Sequence, residues 1–198
     1  MALYWQWFKQ CFGWSGASGA LDPATVIEQP RIALDTSRMG TDAVIVKSGR
    51  RICGTGAGLA NASILQDKAY FEVKIQSSGI WGIGLALEQT ELDRVPLGED
   101  ANSWVMRHNG NVVNNKKVLH VSKSKVEEGD IVGVSYDHVE LNFYINGKSI
   151  NCPVSGIRGS VFPVLYVDES AILDAQFSDF TYSPPSGYSQ IMVEQQIF

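Results

Sequence analysis

The chain has 198 residues, 44% of them hydrophobic, which fills one sizeable core and little more. Its net charge is −5, and Lys47, Arg50, Arg51 and the Lys116–Lys117 pair are scattered among acids. That disfavours nucleic acid as a partner, because phosphate binding needs a concentrated basic face. No run approaches the roughly 20 apolar residues of a membrane helix, and Cys11, Cys53 and Cys152 make neither a Cys-x-x-Cys metal pair nor an even disulfide set.

Residues 1–30 stand apart from the rest. Trp5, Trp7, Phe8, Phe12 and Trp14 surround Cys11, and a stretch rich in Gly, Ala, Ser and Pro then runs to Pro30, with the composition of a flexible linker. The start lacks the basic residues and apolar run of a signal peptide, so the expected compartment is the cytoplasm, with the nucleus also open. In that setting the Asn61-Ala62-Ser63 sequon stays idle. Trp favours the lipid headgroup layer, and Cys11 is a candidate acylation site, so peripheral membrane contact through residues 1–14 is one alternative. A single acyl chain binds a bilayer only marginally, and the aromatics would have to add to it. The other alternative is a mobile tail, or one whose aromatics dock on the folded domain.

From Arg31 onward, strand and turn signals follow one another. Residues 43–47 and 50–53 flank Ser48-Gly49 as a hairpin. In Tyr70-Phe71-Glu72-Val73-Lys74-Ile75 the alternation sends Phe71, Val73 and Ile75 inward and Glu72 and Lys74 outward. Residues 79–87 place Trp81, Ile83, Leu85 and Leu87 on one face and leave Gly82, Gly84 and Ala86 nearly bare on the other, open to a close neighbour. Residues 88–94 form the one plausible helical piece. Trp104–Arg107 and Val112-Val113 flank an Asn109-Gly110 turn. Between Gly129 and Lys148, two alternating strands meet at Asp137-His138, with Val139, Leu141, Phe143 and Ile145 inward, before a second reversal at Asn146-Gly147. Residues 161–167 and 171–177 supply two late strands, and Pro163 predicts an edge or a bulge because it cannot donate to a ladder. Ile191-Met192-Val193 and Ile197-Phe198 are apolar enough to pack on the domain, with the N-terminal strand as one neighbour. Many short strands with regular turns predict an all-β, two-sheet antiparallel β-sandwich.

Sequence features that could carry chemistry read better as structure. Gly54-Thr55-Gly56-Ala57-Gly58 is followed by no helix and lacks a Gly-Lys-Ser ending, so it reads as a strand exit rather than a phosphate cradle. His108 and His138 sit in or beside turns, and neither they nor His120 is accompanied by a Gly-x-Ser-x-Gly elbow, so no catalytic residue is assigned. Asp168, Glu169 and Asp174 lack the ligand ladder of an EF-hand loop. Trp81 and Trp104 read as core, and Cys53 as a buried, inert thiol. No cofactor or metal is expected. A small-molecule hydrolase would require a pocket joining a His or carboxylate to a nucleophile.

Several blocks in order resemble the SPRY domain family. They are Tyr70–Ile75, Trp81–Ala86, Trp104 with Asn109-Gly110, Gly129-Asp130-Ile131-Val132-Gly133, Leu141–Lys148, Phe162-Pro163 with Gln176-Phe177, and Pro184-Pro185-Ser186-Gly187-Tyr188. The resemblance covers residues 31–188, with 189–198 as a tail packing on the sandwich. It implies a bent two-sheet β-sandwich of the concanavalin-like, jelly-roll type, acting as a non-enzymatic protein-interaction module. The corresponding rim loops are residues 35–42, 90–103 and 167–170. These give Asp35, Thr36, Arg38, Asp42, Leu92, Pro96, Leu97, Val167, Asp168 and Glu169 as candidate contacts for a protein or peptide partner, with a monomer expected. Members that grip an Asp-Ile-Asn-Asn-Asn type peptide place a Tyr and a Trp in these loops. Here the matching stretches read Val95-Pro96-Leu97-Gly98 and Val167-Asp168-Glu169, so that specificity is not expected.

Overall fold

The computed structural model describes residues 31–193, which form strands and turns without a helix. In chain order the strands are β1 (Leu34–Met39), β2 (Ala43–Val46), β3 (Arg51–Gly54), β4 (Gly56–Ala60), β5 (Ala69–Ser77), β6 (Ile80–Leu87), β7 (Ser103–Arg107) and β8 (Asn111–Asn114). There follow β9 (Lys117–Val121), β10 (Ile131–Tyr136), β11 (Glu140–Ile145), β12 (Lys148–Ser149), β13 (Val154–Ser155), β14 (Val161–Asp168), β15 (Ile172–Gln176) and β16 (Ser189–Gln190). One sheet runs β1-β4-β14-β6-β7-β8-β9; the other runs β12-β11-β10-β5-β15-β3-β2, with β13 on β11 and β16 on β5. Every pairing is antiparallel except the short β16–β5 contact.

The main core lies between the sheets, where Phe71, Val73, Ile75, Val132, Val134 and Leu173 meet Ile83, Leu85, Met106, Leu165 and Val167. Each such side chain contributes about 1.5–3 kcal/mol on burial, which fixes the registers of β5, β6 and β14. Turn chemistry agrees with the sheet twist. Asn146 and Gly147 have φ of 48° and 74°, the left-handed pair that a two-residue hairpin turn requires.

The chain itself covers part of the outer face of each sheet. Over the 7-stranded sheet, Leu97, with Leu92 and Val95, packs on Ala57, Leu59, Ala86, Val105, Phe162, Val164 and Tyr166, making a second apolar cluster. This explains the continuous apolar run of β14, whose side chains alternate between the two clusters. The bare face of β6 is used for the same cover. A Cβ on Gly82 would strike the Tyr166 ring, and one on Gly84 would strike the Trp104 carbonyl. Over the 9-stranded sheet, Phe180 stacks edge-on against Tyr70, with centroids 5.0 Å apart.

The structure corrects several expectations. Residues 88–94 are not helical: Leu92 turns its carbonyl to the Ala57 amide at 2.8 Å, and its side chain joins the outer cluster. Pro163 lies on an interior strand, yet pairing with β4 begins only at Val164, so no ladder bond is demanded of its nitrogen on that flank. Val139 is 67% exposed rather than inward, because Asp137 Oδ1 accepts from the amides of Val139 and Glu140 and pulls the residue into the turn. Glu72 points to the outer face, as expected, but is fully buried there by the Thr181–Tyr182 segment. Cys53 is half-buried, whereas Cys152 is buried and its thiol is pushed up to about 11 by desolvation. Ile191 joins the main core, but beside β5 rather than the first strand. Gln66 holds that segment, accepting from the Met192 amide at 2.7 Å and donating to the Gln190 carbonyl at 2.9 Å. The expectations for residues 1–30, Cys11 included, and for Ile197-Phe198 fall outside the described residues.

Candidate functional site

Strand register brings three separated segments to one end of the 7-stranded sheet. Val167 pairs with Gly56 and Asp168 with Ile80, so the turn after β14, the entry to β4 and the start of β6 lie side by side. Asp168 Oδ1 accepts from Thr55 Oγ1 at 3.1 Å and from the Glu169 amide at 2.8 Å. Glu169 and Ser170 then adopt φ of 47° and 68°, turning the chain sharply into Ala171, whose amide donates to the Asp168 carbonyl. Thr55 also donates its amide to the Asp42 carbonyl at 3.0 Å, joining the β1–β2 turn to the same place. From the covering loop, Asp93 Oδ1 accepts from the Thr41 amide at 2.5 Å, and the Leu92 carbonyl accepts from Ala57. Side chains and backbone thus fix the turns against one another.

What the rim shows to solvent is acidic. Asp42, Glu91, Asp93 and Glu169 are exposed and Asp168 is half-buried, with Arg94 as the neighbouring cation, 3.9 Å from Glu91. Half-buried Leu92 and Val95 and exposed Pro96 supply apolar surface between these charges. Polar groups around a small apolar centre are the usual composition of an interface.

The candidate contacts divide into three groups. Asp42, Leu92, Asp168 and Glu169 converge on this rim, and exposed Pro96 lies on the same covering loop. Asp35, Thr36 and Arg38 do not join them. They occupy a bulge of β1 near the opposite end, where Arg38 donates to Asp35 at 3.0 Å and to the Ala60 carbonyl at 2.6 Å and stacks over Phe162 at 4.5 Å. There, hydrogen bonds from Ser37 outweigh burial and, with Arg38, hold the Asp35 carboxyl below its usual range. Leu97 and Val167 are 3% and 0% exposed, so they hold the two cores and cannot be partner contacts; apolar residues within a loop signal burial as readily as recognition. Sequence reading missed Thr55, and although it placed Thr41 and Asp93 in rim loops it did not foresee the bond between them; these roles arise only when distant segments meet. It also missed Arg107, which fastens the covering loop by donating to the Leu97 carbonyl and to Glu99, both at 2.6 Å.

The family profile described as the SPRY domain matches residues 68–179, which contain β5 through β15. The chain belongs to the SPRY domain family. It is 56% identical over 190 residues to SPRY domain-containing protein 7 of Gallus gallus, covering 95% of this chain and 96% of that one. It is 57% identical over 173 residues to the Homo sapiens protein of the same name, covering 86% and 88%. Among solved structures, the TRIM65 PSpry domain superposes with a TM-score of 0.60 at 13% identity, covering 74% of this chain and 89% of that one. The SPRY domain of human HERC1 does so with a TM-score of 0.60 at 14% identity, covering 73% and 97%. The likeness to these two is one of fold. The SPRY domain is a protein-interaction fold, and this chain carries it with a covering loop packed on the 7-stranded sheet.

Proposed function

We propose that this SPRY domain is a non-catalytic binding module whose rim, built from Thr41, Asp42, Thr55, residues 91–96 and Asp168–Ser170, holds a segment of another protein. The observation that carries this reading is the mutual bracing of those turns by Thr55–Asp168, Thr55–Asp42 and Thr41–Asp93, while the neighbouring side chains stay exposed. Recognition surfaces are commonly loops held by a rigid sheet, and bracing before contact reduces the ordering cost of binding. The excess of carboxylates favours a partner segment carrying Lys or Arg beside an apolar residue that meets Leu92 and Pro96. The module works as a monomer in the cytoplasm, where the free thiols Cys53 and Cys152 stay reduced.

A quantitative comparison of bound proteins tests this, using the full chain and the double variant Asp42→Lys/Glu169→Lys as baits. Neither side chain is buried, so the variant should match the parent within about 0.5 kcal/mol of stability. The reading expects the parent's direct, cross-linkable partner to be lost from the variant. Retention of every partner at full yield would refute it.

A further inference from the structure

We propose a second binding surface on this SPRY domain, at the edge strand β9, which takes an extended acidic segment with alternating apolar residues by strand addition. The site is independent of the rim: β9 ends the 7-stranded sheet, and its ladder is with β8. Among the described residues no strand pairs with its other flank, which therefore presents backbone N–H and C=O groups without ladder partners.

Three observations meet on this edge. Val118, Leu119 and Val121 are 52%, 45% and 63% exposed, an apolar stripe unlike the polar surface usual for an edge strand. The β8–β9 register shifts beside Leu119, so neighbouring Val118 and Leu119 are both left exposed. A half-open groove of about 490 Å³ continues from His120–Ser124 to the β11–β12 hairpin, where Ile145, Lys148 and Ile150 form the opposite wall.

Charge selects the occupant. Residues 116–125 contain Lys116, Lys117, Lys123 and Lys125 and no Asp or Glu, on a chain whose net charge is −5. Lys148 lines the same groove as Lys123. Lys125 pairs with Glu127 at 3.6 Å. Among the described residues, Lys116, Lys117, Lys123 and Lys148 have no carboxylate within 4.0 Å. Lys on an edge discourages pairing with an identical strand, since two copies of β9 would set Lys against Lys. The same charges favour an acidic strand, whose alternate apolar residues would cover the Val118, Leu119 and Val121 stripe while its backbone completes the ladder.

The test titrates the isotope-labelled full chain with a pool of decapeptides alternating Asp or Glu with Val, Ile or Leu, and with a matched pool carrying Lys for the acids. The acidic pool should protect the 117–121 amides from solvent exchange, and the Lys pool should not. Lys116→Glu/Lys117→Glu/Lys123→Glu should weaken binding by about tenfold or more, while Asp42→Lys/Glu169→Lys should leave it unchanged. In case the triple variant does not fold, an acidic pool N-methylated at alternate residues provides the second arm, and the parent chain should not bind it. Absence of protection, equal response to both pools, undiminished binding of the N-methylated pool, or protection only by anionic lipid vesicles would each overturn the proposal. So would protection of these amides by self-association alone.

Discussion

Glu72 Oε2 accepts a hydrogen bond from the Thr181 amide at 2.7 Å, joining β5 to a segment 109 residues further along the chain. Its other oxygen accepts from the Tyr182 amide and the Tyr70 hydroxyl, each at 3.0 Å. A fully buried carboxylate is thus satisfied by three donors, and it fastens the chain after β15 over the outer face of the 9-stranded sheet. Burial and the adjacent Glu72 charge push the Tyr70 hydroxyl far above its ordinary pKa, so it remains a donor at any physiological pH.

Glu72→Ala removes the acceptor for all three groups and should cost about 3 kcal/mol. Glu72→Gln keeps the volume and one oxygen acceptor, so it should fall between the two. Urea midpoints at pH 7 measure both. An unchanged midpoint for Glu72→Ala would show that the segment is held by other contacts.

Leu97 separates core from rim within one loop. Leu97→Ala should destabilise by about 2–5 kcal/mol, as for other buried Leu truncations, and Leu97→Asp should not give folded protein. An exposed residue of the same loop gives the contrast: Arg94→Ala should stay within about 1 kcal/mol of the parent. Equal effects at the two positions would mean that the loop does not cover the sheet as described.

At Gly84 the obstacle to a side chain is backbone. A Cβ there meets the Trp104 carbonyl in the adjacent strand, which cannot move without parting β6 from β7. Gly84→Ala should therefore cost about 3 kcal/mol or more. Thermal unfolding checks it, and near-parental stability would contradict the close strand approach.

Acid sensitivity should trace partly to Asp174. Burial pushes its carboxyl up, but hydrogen bonds and charge from Arg51, at 2.5 and 2.7 Å, together with Lys47 at 3.7 Å, pull harder and hold it below 3.8. A folded-state pKa below the unfolded one gives stabilisation that is complete above the unfolded value and vanishes as pH falls through the folded value. Urea midpoints should therefore decline as pH drops below about 4. Asp174→Asn should be less stable at pH 7 and show a shallower decline. Parallel acid limbs for parent and variant would exclude this linkage.

The sandwich was legible because burial between two sheets imposes period 2, and β5, β6, β10 and β11 carry it plainly. What was hidden depends on tertiary partners. Glu72 occupies the position of an outward residue, and nothing near it in sequence announces the amides of residues 181 and 182. Leu97 and Val167 read as rim residues because loop position suggested exposure, but Leu97 is buried by its covering loop and Val167 still lies in β14, facing the main core. Asp35, Thr36 and Arg38 are close to Asp42 in sequence, but the β1 bulge and the Arg38–Ala60 bond set them elsewhere. The Thr55–Asp168 pair depends on β4–β14 register, which alternation within either strand does not specify.

Hydrogen exchange on the full chain, alone and with a directly bound partner, tests the central claim most closely. Protection on binding should concentrate at residues 40–42, 54–56, 91–96 and 168–170 and leave the β1 bulge at residues 35–38 unchanged. Protection confined to that bulge or to the outer face of the 9-stranded sheet, with the rim unaltered, would contradict it.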